Sequence, residues 1–539
     1  MYNCPNCSGN LSFDIESQML MCDYCKTKLD PYEYQKTQDA EERDDFGVTV
    51  FTCPQCGGEV MTTNVTAAGF CMYCGASTIL DSRMSKEKRP KHIIPFTQTK
   101  KDCQKAYSRL VKRALFAPGE FRDPQFLDRF RGIYMPYWIY DLKLRGTLRL
   151  KGEHSYRRGD YKITDHYRLS GEVDASYEGL NYDASSSFDD TVASCIAPFK
   201  ADTFKPFTPS MLCGFYADSP DVDSSVYSDS LQEMLYDDTI DRISGVPEFR
   251  DKGMQAPGEK KLENIGLRME SEKPECAFLP VWFLTYRKGD RVAYAVMNGS
   301  TGKITADLPV DEKKYVFGSL LLALPIFAVL ALLFTITGHA ALMCSSITAL
   351  VSLALYMVGV SEISDKDSRA NDIGYRFTKD PSGNVFRHNG ADNLGKTGSY
   401  GISGYWKLIP LVLALILIGL KPAMAFLTDE GTITFYTIYG VISMLLLIAV
   451  IALIETMAET EMAKKGIFLH TLGSLIAVII SAVILVFNPV SDLWFYGGSI
   501  LSALGVMLTL IGMIRKYNIL ATRPLPTFYD RKGGNDSAN

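Results

Sequence analysis

Apolar and polar positions change their rhythm along the chain. From Leu142 the period is two. Leu142, Leu144, Leu148 and Leu150 alternate with Lys143, Arg145, Arg149 and Lys151. Tyr167, Leu169, Val173, Ala175 and Tyr177 repeat the pattern against Arg168, Ser170, Glu172, Asp174 and Glu178. Such alternation predicts half-buried antiparallel strands. A third set runs from Val281 to Arg287, turns at Gly289-Asp290 and returns over Arg291 to Met297. Asn298-Gly299 turns the chain again into Lys303 to Leu308,. Between Lys100 and Phe116 the period lengthens: Ala106, Leu110 and Ala114 make one stripe, with Tyr107, Val111 and Leu115 alongside, which predicts an amphipathic helix,.

Beyond about residue 315 the rhythm gives way to long uncharged runs. Six of them, near 316–337, 341–360, 407–427, 432–454, 466–488 and 493–514, reach the ~20 apolar residues that cross about 30 Å of hydrocarbon,. Lysine and arginine concentrate in the connections 361–406 and 455–465 and in the tail, while the connections near 338–340, 428–431 and 489–492 carry none. That asymmetry predicts a multi-pass protein of the cell (plasma) membrane with both termini in the cytoplasm. The spans hold little charge: His339, His470 and Glu455 sit near their ends, and no charged midplane cluster marks a transport path,.

Composition adds a boundary. The 539 residues are 47% hydrophobic and 22% charged, an ordinary average that hides the split at residue 315,. A formal net charge of −5 excludes a globally basic nucleic-acid coat,. Thirteen cysteines are too few for a disulfide scaffold of this length,. The segment Met1 to Asn10 is polar, with no apolar signal core, which points to a reducing cytoplasm,.

Eight cysteines carry the clearest chemistry. Cys4, Cys7, Cys22 and Cys25 form one set, and Cys53, Cys56, Cys71 and Cys74 form a second at an offset of 49. Both sets share Cys-Pro-x-Cys-x-Gly and Cys-x-Tyr-Cys. A Cys-x-x-Cys turn presents two thiolates to one tetrahedral ion, and two turns complete a four-sulfur shell. Gly9, Gly58 and Gly75 are expected to supply permissive backbone for these turns,. The pattern predicts two zinc ribbons, each with one structural Zn2+. A closed Cys4 shell leaves no position for activating water. An iron site or a redox dithiol are the competing readings. Cys103, Cys195, Cys213, Cys276 and Cys344 lack metal spacing and read as inert thiols,.

Charge weighs against nucleic acid at the ribbons. Residues 1–31 and 48–81 each sum to −2, whereas phosphate binding needs several cations,. The basic stretch is 83–113, with eleven Lys or Arg against Glu87 and Asp102. It reads as the solvated face of a packed helix or as a surface for anionic lipid. The octapeptide Gly390 to Thr397 fits a phosphate-loop pattern, but Phe386 to Asn389 before it and Gly398 to Gly401 after it lack the strand and helix such a loop needs,.

The expected fold class is multidomain: two small Cys4 zinc ribbons, a β-rich α+β cytoplasmic region and an α-helical membrane domain of about six spans. The expected boundaries are 1–35 and 48–82 for the ribbons, 90–182 for the basic helix and antiparallel β region, and 183–275 for an acidic inserted excursion. A completing hairpin follows at 276–314, then the spans at 315–515 with cytoplasmic loop 361–406, and a cytoplasmic tail at 516–539.

Two segments look alike: Tyr134-Met135-Pro136-Tyr137-Trp138 and Phe278-Leu279-Pro280-Val281-Trp282 each set a proline two residues before a tryptophan at a strand start,. Together with the twin ribbons, Ile94-Pro95-Phe96 and Met297-Asn298-Gly299, they resemble a bacterial family, the TFIIB-type zinc-ribbon membrane proteins, sometimes labelled primosomal or helicase-like. No helicase core is present in this sequence. Members of that family are encoded beside SPFH (flotillin-like) and phage-shock proteins and look like anchors that recruit them in envelope stress. The resemblance therefore implies a non-enzymatic membrane scaffold with a cytoplasmic SPFH-type partner. A transporter or channel regulated by the zinc-binding region, and a membrane-tethered nucleic-acid binder, are the alternative functions.

Overall fold

The computed structural model describes residues 2–37, 45–63, 70–77, 80–247, 254–255, 260–271, 273–333, 337–371, 377–379, 385–387, 467–487, 489–526 and 528. The chain opens with a three-stranded sheet, β1 (Leu11–Asp14), β2 (Met19–Cys22) and β3 (Lys28–Leu29). Fourteen of the described strands then share one sheet. Its first members are β4 (Asp45–Thr52), β5 (Glu59–Thr62), β6 (Asp81–Lys88) and β7 (His92–Ile93). Next come the long strands β8 (Arg131–Arg158) and β9 (Tyr161–Asp183), then the short β10 (Lys205–Pro206) and β11 (Tyr216–Ala217). The set continues with β12 (Met254–Gln255), β13 (Leu267–Ser271), β14 (Glu275–Lys288), β15 (Arg291–Asn298) and β16 (Ile304–Ala306), and Arg523–Pro524 near the C-terminus completes it. The main path runs β10-β7-β14-β8-β11-β5-β4-β6. The acid-rich stretch thus contributes β11, which lies between β8 and β5.

The duplicated Pro-x-Trp segments are neighbours. In the antiparallel pairing of β8 with β14, Pro136 lies opposite Phe278 and Pro280 opposite Tyr134. Both indoles find carbonyl acceptors: Trp138 Nε1 donates to Val222 O at 2.8 Å, and Trp282 Nε1 to Gln98 O at 2.9 Å. Ile133, Tyr134, Phe278 and Leu279 are fully buried at this seam. Each such side chain withdrawn from water contributes about 1.5–3 kcal/mol.

The period-two residues form the ribbon β8–β9. Leu142, Leu144, Leu148, Leu150 and Leu169 are buried, and helix α2 (Ser228–Ser244) covers them with Leu231 and Leu235; α1 is Lys100–Arg113. In α1 the buried stripe is Cys103, Tyr107 and Val111, so the core lies on the expected companion line of Tyr107 and Val111 and not on Ala106–Leu110–Ala114. The Tyr107 ring decides this by meeting Phe121 and Phe130 at 6.3 and 5.7 Å. Thr99 and Asp102 close a capping box at its start, and Lys101, Lys105, Arg109, Lys112 and Arg113 face solvent,. The helical part of the basic stretch is a solvated helix face, while Arg83, Lys86 and Lys88 lie on β6.

The C-terminal half corrects the expected fold class and localisation. Its described helices are α3 (Glu312–Leu333), α4 (Gly338–Asn371), α5 (Ile467–Phe487) and α6 (Asp492–Leu520). Among the described residues only α6 is long and apolar enough to cross a membrane, while Gly338–Leu353 and Gly473–Leu485 are shorter apolar helices. A domain of about six spans, and the multi-pass plasma-membrane placement built on it, do not hold. Run length in a sequence counts apolar residues without asking which of them face each other. Here α4, α5 and α6 bury faces of Leu342, Ala349, Ala477, Val478 and Phe495 against one another. The runs 407–427 and 432–454 and the phosphate-loop octapeptide lie outside the described residues.

Within the helical unit a few hydroxyls are buried among the apolar contacts, while apolar side chains remain outside. Ser474 lies 3.2 Å from Ser352 and 2.5 Å from Thr509, and Ser481 lies 2.7 Å from Ser502, all buried. Gly473 and Gly505 allow the backbones together, since a Cβ on Gly505 would sit 2.3 Å from Gly473 O,. Leu493, Ile500, Leu504 and Leu508 of α6 stay exposed. The unit is tied to the β body through Asn518, whose side chain accepts from Val310 N at 2.6 Å and donates to Val310 O at 2.8 Å.

Candidate metal centres

Each Cys-x-x-Cys pair sits on the same backbone knuckle. The N–H four residues after the first cysteine returns to that cysteine's carbonyl: Ser8 to Cys4 at 2.8 Å, Lys26 to Cys22 at 3.1 Å, Gly57 to Cys53 at 2.8 Å and Gly75 to Cys71 at 3.0 Å. Those four residues are the ones with left-handed backbone, at φ 57°, 60°, 72° and 72°. Gly75 therefore serves as expected. Gly9 and Gly58 do something else: a Cβ there would meet Tyr24 Cδ2 at 2.5 Å or Tyr73 Cδ2 at 2.7 Å. They make room for the tyrosine of Cys-x-Tyr-Cys, a packing need that turn chemistry alone did not reveal.

The knuckles bring Cys4, Cys7, Cys22 and Cys25 into one cluster, and Cys53, Cys56, Cys71 and Cys74 into another. Within the first, Cys4–Cys25 is 3.6 Å and both Cys7–Cys22 and Cys7–Cys25 are 3.4 Å, Sγ to Sγ. Within the second, Cys53–Cys74 is 3.8 Å and Cys56–Cys71 is 3.7 Å. Four sulfurs held about 2.3 Å from a tetrahedral ion stand roughly 3.8 Å apart, so both clusters could hold a metal ion. The separations are far above a disulfide bond length of about 2 Å, and all thirteen cysteines are free thiols,.

The four sulfurs of the second cluster divide their charge unevenly. Hydrogen bonds from Cys56, Cys71 and Cys74 hold Cys53 far below the ordinary thiol range, and Cys53, Cys56 and Cys74 in turn push Cys71 far above it. Four thiolates cannot share this buried space without a positive ion. In the first cluster the Thr27 hydroxyl and backbone N–H hold Cys25 down at about 6. One thiolate is thus ready at neutral pH, on a residue open to solvent,.

The two centres differ in setting. All four sulfur-bearing residues of the second are buried, whereas Cys7 and Cys25 of the first are exposed. The second centre is knitted into the large sheet. Thr285 Oγ1 donates to Met72 O, and Tyr294 OH donates to Tyr73 O at 2.7 Å. Tyr73 OH donates at 2.9 Å to Asp218, which also accepts from Ser185 Oγ at 2.5 Å. The first centre rests on the 205–213 segment and its surroundings: Phe13 N–H donates to Cys213 O at 2.9 Å, and Gln18 Nε2 to Phe96 O at 2.7 Å.

The other cysteines stay apart from both clusters. Burial pushes the thiols of Cys213 and Cys276 up to about 12. Cys103 is buried, Cys195 half-buried and Cys344 exposed. The remaining motifs converge on structure. Asn298 is buried, donates to Ile196 O at 3.0 Å and accepts from the N–H groups of Ser300 and Thr301 at 2.9 Å. Gly299 lies so close to Phe96 that a Cβ would stand 2.5 Å from its ring. Ile94-Pro95-Phe96, Trp282 and Met297-Asn298-Gly299 form one packed corner.

Comparisons with known proteins place few constraints. No family model matches the chain, and no solved structure matches it. It is similar to YdjG of Bacillus subtilis (strain 168), an uncharacterized protein, with 25% identity over 318 residues, 58% of this chain and 91% of that protein.

Proposed function

We propose that the chain is a non-enzymatic scaffold. Two zinc-closed ribbons and the β body present a fixed surface to a protein partner, and α6 anchors that surface to a membrane. The observation that carries this reading is the pair of four-sulfur clusters, one of them buried, bonded into the sheet through Met72 and Tyr73 and to Phe528 through Cys56. Borderline-soft Zn2+ suits four thiolates in tetrahedral array, and a shell of four protein ligands keeps the ion out of catalysis. The ion then stabilises the surface that the knuckles display.

The surroundings support a structural role. The groove of about 460 Å³ beside β9 holds His92, but His92 Nε2 already meets Glu275 at 2.7 Å, and Lys91 bonds the same carboxylate. That trio links β7 to β14. The exposed apolar side chains of α6, with hydroxyls turned inward, suit an anchor in an apolar phase,. An SPFH-type protein is the partner class that the sequence resemblance implies. The test is co-purification of the full chain with that protein from solubilised membranes, using wild type and Cys53→Ser. Loss of the partner with the second centre disrupted is expected. Equal recovery with both chains, or no SPFH-type protein with either, would contradict the reading.

A further inference from the structure

The long ribbon leaves one edge open. β9 pairs with β8 from Tyr161 to Asp183 with one register shift, opposite Tyr140 and Leu142, and among the described residues no strand pairs with its other side. It spans 23 residues without a proline. Unpaired edges of this length are normally shortened, kinked or covered, because their N–H and C=O groups recruit further strands. The far face of the ribbon, around Leu142 to Leu150, is already covered by α2, so the free feature is the edge itself and the exposed face beside it.

That exposed face has a charge gradient. Lys162, His166 and Arg168 lie toward the tip; Glu172 and Asp174 lie toward the base, all exposed. Ser170 stands between them. The cross-strand partners continue the ordering: Glu153 meets His166 at 3.0 Å, and Arg145 meets Asp174 at 3.3 Å.

We propose that β9 pairs with β9 of a second copy of this chain, antiparallel, about a two-fold axis through Ser170. With Ser170 opposite Ser170, Arg168 falls opposite Glu172 of the second copy and His166 opposite its Asp174. Symmetry repeats both pairs on the other side of the axis. A charge row then crosses four strands in alternating sign: Glu153, His166, Asp174 of the second copy and Arg145 of the second copy. Other proteins' strands would satisfy the backbone equally well. The sequence of β9 selects its own reverse, which is what an isologous interface requires. A one-residue slip would turn Arg168 and Glu172 to opposite faces, so the register is defined.

The test uses the full chain in sedimentation velocity across a concentration series. A dimer is expected. Arg168→Glu sets like charges opposite at two places and should weaken it roughly tenfold, at the scale of cross-strand charge pairs. Adding Glu172→Arg to that variant restores opposite charges and should restore the dimer, an outcome that a folding defect would not give. Ser170→Cys places two thiols on the axis and should yield a disulfide-linked dimer under mild oxidation. A chain that stays monomeric at every concentration overturns the proposal. So does a dimer indifferent to Arg168→Glu, or a Ser170→Cys variant that does not cross-link.

Discussion

The backbone N–H of Phe528 donates to the carbonyl oxygen of Cys56 at 2.7 Å. The segment that follows α6 therefore reaches the loop that carries Cys56 of the second four-sulfur cluster. On the way, Arg523–Pro524 pairs with the start of β15, and Arg291 donates to Ile519 O at 2.8 Å and Thr522 O at 2.9 Å. The Phe528 ring meets Tyr73 edge-on at 5.5 Å. The end of the apolar helix and the second metal centre are held as one unit.

Phe528→Ala should destabilise the chain by about 3 kcal/mol, the scale of emptying a buried phenylalanine site. The second centre should lose metal more readily, since the ring shields its loop. Thermal unfolding together with metal content checks this. Unchanged metal retention would show that the tail is incidental to the centre.

Gly58→Ala sets a methyl group 2.7 Å from Tyr73 Cδ2 and 3.2 Å from Phe528 Cδ2. Both rings are buried, so the clash should cost about 1–3 kcal/mol. Gly47→Ala, in the same sheet with nothing within 4 Å of its Cβ position, is the control and should be nearly silent. Similar melting temperatures for the two variants would refute the packing role assigned to Gly58.

Tyr73→Phe removes one donor from the buried Asp218, which keeps Ser185 Oγ and the Ser219 N–H at 2.9 Å. A loss of about 1–2 kcal/mol is expected, with metal stoichiometry unchanged. Denaturant unfolding measures the first and elemental analysis the second. A drop in metal content would instead place Tyr73 among the groups that hold the ion.

Exposure separates the two centres in rate. Cys7 and Cys25 are open to solvent, while all four cysteines of the second cluster are buried. A chromophoric chelator should draw metal in two phases, one equivalent fast and one slow. Cys25→Ser should abolish the fast phase alone. A single phase would show that burial does not govern release.

Much of this was legible in the residues because the signals are local. The cysteine spacings specify the knuckles, and the period-two stretches specify the ribbon, down to which leucines are buried. The departures come from non-local packing. Gly9 and Gly58 looked like turn residues, yet the left-handed positions are one residue earlier, at Ser8 and Gly57, and the glycines serve Tyr24 and Tyr73. Hydropathy suggested six spans because an apolar run does not record whether its neighbours are lipid or other helices; only α6 meets the requirements among the described residues. The pairing of Pro136 with Phe278 and of Pro280 with Tyr134 across one seam, and the return of Phe528 to Cys56, join residues more than a hundred positions apart and leave no periodic trace.

The central claim is that two closed thiolate centres fix the surface of the proposed scaffold. Elemental analysis of the purified full chain tests it most directly. The account predicts two zinc ions per chain, falling to one in Cys53→Ser, with the first centre retained. Iron in place of zinc, or wild-type protein that folds with neither, would contradict it.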